Sequence, residues 1–303
     1  MPQRITGKTE LIGLIANPIR TSKSPMMHNT AFEALGLDLV YMVFEVDNSN
    51  LAVAVQGLRA LGAVGFNVSM PNKTEVMKYL DEISPEARLC GAVNTVVNRN
   101  GVLYGTNTDG KGFMLACREK GFDIIGKKIT LIGAGGAATA IAMQAGLDGV
   151  AEISIFNGND RFMDNARANA DRLNAETFCK ARAFCLDDTD ALRREIESSV
   201  LLVNATGCGF GVPAGPCLIP DKSYLRPDLK VVDIIYSPEK THLLEMAEEV
   251  GCENMNGVRM MLHQGAAAFK LWTGRDMPFA PVEEALAQIP HRKSNGNEGY
   301  KVV

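Results

Sequence analysis

The sequence predicts an α/β protein of two domains, and three observations predict it. Short apolar runs of strand length alternate with longer segments of helical periodicity from Glu10 to Leu271, the pattern of mainly parallel sheets covered by helices. One run, Lys128-Ile-Thr-Leu-Ile132, meets the turn Gly133-Ala134-Gly135-Gly136-Ala137-Ala138, continues as small helix-forming residues, and is followed by a second β-rich run, Ile153 to Asn157, closed by Asp160. The length, 303 residues, leaves room for two domains of ordinary size.

In chain order, Glu10 to Ile15 reads as a buried strand that breaks at Asn17-Pro18 and gives way to a polar loop, Thr21-Ser22-Lys23-Ser24-Pro25. Met26 to Leu35 predicts a helix, Val40 to Val46 a second strand, Leu51 to Leu61 a helix, Gly65 to Ser69 a third strand, and Lys73 to Leu80 a helix opening after Pro71. Ala92 to Asn98 and Val102 to Gly105 are β runs joined by Asn100-Gly101, a dipeptide that tolerates positive φ and so predicts a hairpin. A helix from Gly112 to Lys120 leads to the glycine-rich turn. Beyond it, Val200 to Asn204 and Lys230 to Tyr236 read as later strands, Leu243 to Val250 as a helix, and Gly257 to Leu271 as a long helix. Residues 290–303 are polar and read as a frayed tail.

Each residue of the glycine-rich turn has a physical reason. Gly133 permits a tight turn out of the strand, Gly135 removes a side chain where backbone must approach a diphosphate, and Ala138 lets helix and strand pack closely. The amide groups and positive end of the following helix then bind the anion. Asp160 is the acid expected to accept hydrogen bonds from a ribose hydroxyl. With strand, helix, second strand and acid in register, the stretch predicts a Rossmann dinucleotide-binding domain.

Composition narrows the remaining choices. Apolar and charged fractions of 46% and 22% are those of an ordinary globular protein. A net charge of −4 argues against nucleic acid or an anionic membrane as partner. Seven scattered cysteines without a Cys-x-x-Cys pair, no apolar run of membrane-spanning length and no signal-peptide core predict a cytoplasmic protein with reduced thiols. Four scattered histidines show no metal-ligand spacing, so no metal is expected.

Polar residues crowd the ends of the first strands: Ser22, Ser24, Asn67, Ser69, Lys73, Asn94, Asn107 and Asp109. In an open α/β sheet those loops line the ligand crevice, and a set rich in hydroxyl and amide groups suits a small polyhydroxylated substrate. Taken singly, each has an ordinary reading: the serines as turn or capping residues, the asparagines as turn ligands, Lys73 as a solvated lysine, Asp109 as a turn residue.

In combination they resemble a family. Ser22-x-Ser24-Pro25-x-x-His28, Asn67-Val-Ser69-x-Pro71-x-Lys73, Gly91-Ala-Val-Asn94-Thr95, Gly105-x-Asn107-Thr108-Asp109-Gly110, Asn204-Ala-Thr206, Tyr236-Ser-Pro238 and Gln264-Gly-Ala-x-x-Phe-x-x-Trp272, with the glycine turn, are similar to the shikimate dehydrogenase family over about residues 10–288. The resemblance implies a substrate domain over residues 1–111, completed by helices in 257–288, and a Rossmann domain over 112–256. It implies Lys73 and Asp109 as the catalytic pair, with Ser22, Ser24, Asn67, Ser69, Asn94 and Gln264 holding the carboxylate and hydroxyls of shikimate. Gly133, Ala134, Gly135, Gly136, Ala137, Asn157, Asp160, Thr206, Tyr236 and Gly257 would hold the dinucleotide. Tyr41 and Ser69 resemble the quinate/shikimate branch, where the tyrosine contacts substrate, so quinate is a second expected substrate.

Gly158 and Asn159 depart from both branches, which carry an arginine in this stretch. A ribose 2′-phosphate wants an arginine fork, whereas Gly158-Asn159-Asp160 offers a carboxylate, with Arg161 next door. NAD is therefore favoured over NADP. A homodimer is the default expectation for such an enzyme. A paralogue acting on an amino- or deoxy-analogue, and a catalytically silent dinucleotide sensor, are the alternatives.

Overall fold

Two six-stranded sheets, each with its own helices, organise the chain. The computed structural model describes residues 5–19, 22–210 and 217–288; the tail expected over 290–303 lies outside them. The first sheet contains β1 (Glu10–Ala16), β2 (Leu39–Glu45), β3 (Gly65–Val68), β4 (Glu82–Ile83), β5 (Thr95–Arg99) and β6 (Val102–Thr106), in the order β2-β1-β3-β5-β6-β4. Its helices are α1 (Ser24–Leu35), α2 (Leu51–Ala60) and α3 (Pro85–Cys90). β1 lies between β2 and β3 and is buried along Ile12–Ala16, as its continuous apolar run requires. The β5–β6 hairpin turns on Asn100 and Gly101, both at positive φ, 55° and 92°.

The second sheet is wholly parallel. It comprises β7 (Lys128–Ile132), β8 (Glu152–Asn157), β9 (Lys180–Cys185), β10 (Leu201–Asn204), β11 (Lys230–Asp233) and β12 (Asn254–Met255). The order β12-β11-β10-β7-β8-β9 is the doubly wound arrangement, whose direction reverses between β7 and β10. Helices α5 (Gly136–Leu147), α6 (Met163–Glu176), α7 (Thr189–Glu197) and α8 (His242–Val250) connect its strands.

Two helices join the two sheets, and a third follows them in the chain. α4 (Asp109–Glu119) runs from the end of β6 towards β7, and α9 (Val258–Thr273) packs along it. α10 (Phe279–Ala287) packs on α1, and Trp272 Nε1 of α9 donates to the Val96 carbonyl of β5 at 2.9 Å, so the C-terminal helices rest on the first sheet. Among the described residues no helix is long and apolar enough to cross a membrane.

Two sequence expectations are corrected. The helix expected over Lys73–Leu80 is a 3-10 turn, Glu75–Tyr79, and Lys73 lies before it in the turn after β3. Only Val76 of that turn is buried, one inward residue where a stable α-helix needs a recurring apolar stripe. Helix α4 starts at Asp109 rather than Gly112, because the Asn107 side chain accepts the Asp109 N–H at 3.0 Å and turns the chain three residues earlier.

Candidate active site

The loops at the carboxyl ends of β1 and β3 and the turn before α4 meet at one end of the first sheet. There Lys73 Nζ stands 2.6 Å from Asp109 Oδ2, the amine half-buried and the carboxylate buried. The other oxygen, Asp109 Oδ1, accepts from Asn94 Nδ2 at 2.8 Å. Gln264, on α9, points its Oε1 at the same Asn94 nitrogen from 3.5 Å and donates its own amide to Met261. Four sequence segments thus converge on one carboxylate and one amine.

A hydrogen-bonded chain continues inward from Asn94. Asn67 donates to the Asn94 carbonyl at 3.0 Å and to Thr95 Oγ1 at 3.1 Å, and its oxygen accepts from the Tyr41 hydroxyl at 2.7 Å. Tyr41 in turn bonds Ser24, the first residue of α1, and Ser22 Oγ accepts the Ser24 N–H at 3.2 Å. The expected residues Ser22, Ser24, Tyr41, Asn67, Asn94, Lys73, Asp109 and Gln264 are brought together. Ser69 caps the end of β3, its N–H bonded to the Ile15 carbonyl. Asn107 acts as a turn ligand, donating to the Ala92 carbonyl at 3.0 Å and to Cys90 Sγ at 3.5 Å. Burial and the nearby Asp109 charge push the Cys90 thiol up to about 12, which leaves it without thiolate character.

Tyr41, expected from the resemblance to contact substrate, is 2% exposed and lies behind Asn67, its ring stacked on His28 with centroids 4.5 Å apart. His28 is fully buried among Phe32, Tyr41, Phe269 and Trp272, and neither ring nitrogen has a hydrogen-bond partner among the described residues. Burial lowers its pKa from 6.5 to about 3, so the folded protein holds it neutral. The unfolded chain takes up that proton below about pH 6.5, so the contribution is fully present above 6.5 and is lost as pH falls towards 3. His28→Phe is expected to lose about 2 kcal/mol less stability than the parent between pH 6.5 and 5. Urea denaturation at both pH values checks this; equal acid slopes would sink it.

The second sheet presents the nucleotide side. Gly133 follows β7 with φ of +117°, and a Cβ there would meet the Ala205 carbonyl oxygen at 2.8 Å, so the loops after β7 and β10 touch at the point where strand order reverses. A Cβ at Gly135 or Gly136 would meet nothing within 4 Å, leaving open approach to the start of α5 beside Ala134 and Ala137. Those features fit a diphosphate, which needs a helix start without side chains in front. Thr206 is fixed by Asn204, whose Oδ1 accepts both its N–H and its hydroxyl. Asn204 in turn donates to the buried Asp233, which also accepts from Thr241 at 2.7 Å. Asp160 differs from the simple expectation: its Oδ1 accepts from Asn157 Nδ2 at 2.9 Å and from the Phe162 N–H at 2.8 Å, closing its own loop. Arg161 lies over the Phe162 ring, 4.9 Å from its centroid.

Contacts between the halves bring the two sides face to face. One residue after Asp109, Gly110 lies so close to α5 that a Cβ would stand 2.2 Å from the Ala140 carbonyl oxygen. Lys23, between the two serines, sits over the Tyr236 ring at 5.5 Å, and the Gly257 N–H bonds the Ile235 carbonyl at 2.9 Å. Sequence reasoning assigned no role to Lys23, Thr95, Thr108 or Asp233. The Asn94-Thr95 and Thr108-Asp109 adjacency was the available signal for the two threonines.

A doubly wound dinucleotide fold beside a cleft bearing a lysine–carboxylate pair defines the class of two-domain, nicotinamide-linked oxidoreductases. The profile of the shikimate dehydrogenase substrate binding domain matches residues 14–96, and that of the shikimate 5′-dehydrogenase C-terminal domain matches 257–287. The shikimate dehydrogenase (NADP(+)) of Listeria monocytogenes serotype 4b is 57% identical over 284 residues, covering 94% of this chain and 98% of that protein. The crystal structure of a Listeria monocytogenes shikimate 5-dehydrogenase in complex with shikimate and NAD superposes with a TM-score of 0.92 at 56% identity, over 94% of this chain and 99% of that one. Quinate dehydrogenase from Corynebacterium glutamicum, in complex with NAD, superposes at 0.82 with 30% identity, over 92% of this chain and 99% of that one. The chain belongs to the shikimate dehydrogenase family.

Proposed function

We propose that the protein catalyses the reversible, dinucleotide-dependent interconversion of shikimate and 3-dehydroshikimate, with quinate and 3-dehydroquinate as a second pair. The carrying observation is the Lys73–Asp109 contact at 2.6 Å, within a ring of hydroxyl and amide side chains and next to Gly110, which abuts α5 of the nucleotide-binding half. The substrate-binding unit comprises residues 1–111 with helices from 257–288, and the dinucleotide-binding unit comprises 112–256.

Ser22 and Ser24, at the start of α1, hold the substrate carboxylate, with Lys23 supplying positive charge between them. Ser69, Asn67, Asn94 and Gln264 face the ring hydroxyls, with Tyr41 behind Asn67. A bound nicotinamide supplies or accepts the hydride. When the ring ketone is reduced its oxygen gains negative charge, and the Lys73 ammonium stabilises that oxygen and hands it a proton. In the oxidation direction the neutral Lys73 amine takes the hydroxyl proton as the carbinol hydrogen leaves as hydride. Asp109, fixed on its other oxygen by Asn94, holds the amine in line.

For the cofactor, the segment Gly158-Asn159-Asp160 presents no cation ahead of Arg161, and we favour NAD. The relatives named as NADP(+)-dependent pull the other way, so the ratio of kcat/KM values decides. NAD is expected to exceed NADP by about fivefold or more, roughly the worth of one exposed charge interaction; the reverse ratio would make Arg161 the 2′-phosphate partner. Purified protein is mixed with NAD or NADP against shikimate and quinate, and absorbance of the reduced nicotinamide is followed. Turnover of shikimate is the expected result. Dinucleotide binding with no turnover of either substrate would leave the silent sensor in its place.

A further inference from the structure

We propose that Thr95 is the positioning residue of the acid–base pair: its hydroxyl fixes the Asn94 side-chain amide, and through it the orientation of Asp109 towards Lys73. The inference rests on the reading of Lys73 and Asp109 given above.

Orientation of the Asn94 amide follows from its partners. The backbone N–H of Thr108 donates to Asn94 Oδ1 at 2.8 Å, so that atom must be the oxygen. Thr95 Oγ1 stands 2.9 Å from the same oxygen, and since Oδ1 only accepts, the Thr95 hydroxyl donates. Its lone pairs then accept Asn67 Nδ2 at 3.1 Å. With two donors on Oδ1, Asn94 Nδ2 is left facing Asp109 Oδ1 at 2.8 Å and Thr108 Oγ1 at 3.0 Å. Asp109 Oδ2 remains for Lys73.

The sheet puts the hydroxyl there. In the antiparallel pairing of β3 and β5, Asn67 lies directly opposite Thr95, and in the hairpin Thr95 lies opposite Thr106. Paired residues of a sheet share a face, so the Thr95 hydroxyl is set between the Asn67 and Asn94 amides by strand register. Thr95 is 0% exposed; whatever it does to turnover passes through the two amides it bonds, Asn94 on the Asp109 side and Asn67 on the substrate side. Without its hydroxyl, Asn94 Oδ1 loses a donor and Asn67 loses an acceptor in a buried network, where unmet groups are costly. The Asn94 amide is then held by Thr108 alone, with less to keep its Nδ2 on Asp109, and the carboxylate gains freedom to rotate about its contact with Lys73.

The test compares Thr95→Val, Thr95→Ser and Thr95→Ala with the parent and with Lys73→Ala, all as full chains. Thr95→Val, nearly isosteric, is expected to lower kcat by about 10- to 100-fold, the scale on which misplacing a reacting group acts. KM for the dinucleotide should stay within about twofold, and the deuterium isotope effect at the carbinol carbon should rise as the chemical step becomes slower. Thr95→Ser, which keeps the hydroxyl, should restore kcat to within about threefold of the parent. A Thr95→Val enzyme with parental kcat and isotope effect overturns the proposal, while an inactive Lys73→Ala beside it keeps the acid–base reading standing. An active Lys73→Ala overturns that reading, and with it this one. Should Thr95→Val give no cooperative melt, the Ser and Ala variants decide: a Ser enzyme well above Ala in kcat supports the role, and equal kcat values overturn it.

Discussion

Lys73→Ala is expected to lower kcat for shikimate oxidation by about 10²-fold or more, the usual scale for removing a positioned general acid or base, with KM for the dinucleotide nearly unchanged. The side chain lies in the turn after β3 and contacts Asp109 rather than the glycine loop, so its loss should leave the nucleotide side intact. Lys73→Arg separates two roles that alanine removes together. Arginine keeps the positive charge beside Asp109 but holds its proton at all working pH values, so it can stabilise an oxyanion and cannot accept a hydroxyl proton. An arginine enzyme as slow as the alanine enzyme assigns the loss to proton transfer; one within about tenfold of the parent assigns it to charge. Near-parental turnover of Lys73→Ala, followed by nicotinamide absorbance, would remove the residue from the mechanism.

What the sequence disclosed and what it hid divide along a physical line. The glycine turn was legible because its constraint is local: Gly133 sits at φ of +117°, and Gly135 and Gly136 leave the helix start open. The Asn100-Gly101 hairpin was legible for the same reason. Lys73 and Asp109 became visible only through family resemblance, since their 2.6 Å contact joins residues 36 positions apart. The Thr95 hydroxyl was hidden because its placement depends on β3 pairing β5 with Asn67 opposite Thr95, a register that neither strand specifies alone. Asp160 was recognised by position, whereas the bonds its Oδ1 makes to Asn157 and the Phe162 N–H within its own loop were not legible. The helix expected from Lys73 failed because periodicity over eight residues cannot distinguish an α-helix from a 3-10 turn with one buried residue.

Gly110→Ala is expected to destabilise the protein by about 3 kcal/mol, the upper part of the range for overpacking, and to abolish most of the activity. The added Cβ would stand 2.2 Å from the Ala140 carbonyl oxygen and 2.6 Å from Gln144 Cβ, both on α5. A backbone oxygen cannot rotate aside, so α4 must move. Relief on the far side is closed: a Cβ at Gly112 would lie 2.7 Å from the Gln264 backbone nitrogen and 2.8 Å from the Met260 carbonyl oxygen, so α4 is already in close contact with α9. Asp109 is the first residue of α4, and any shift of that helix carries its carboxylate away from Lys73 and Asn94. A helical glycine elsewhere provides the opposite sign. A Cβ at Gly57 in α2 meets nothing within 4 Å, so Gly57→Ala should raise stability by about 0.5–1 kcal/mol through helix propensity and a less flexible unfolded chain. Thermal melts of the two variants, with kcat measured on each, test the contrast. A Gly110→Ala protein melting with the parent would mean that α4 and α5 can separate at little cost, and that the spacing between the halves does not position Asp109.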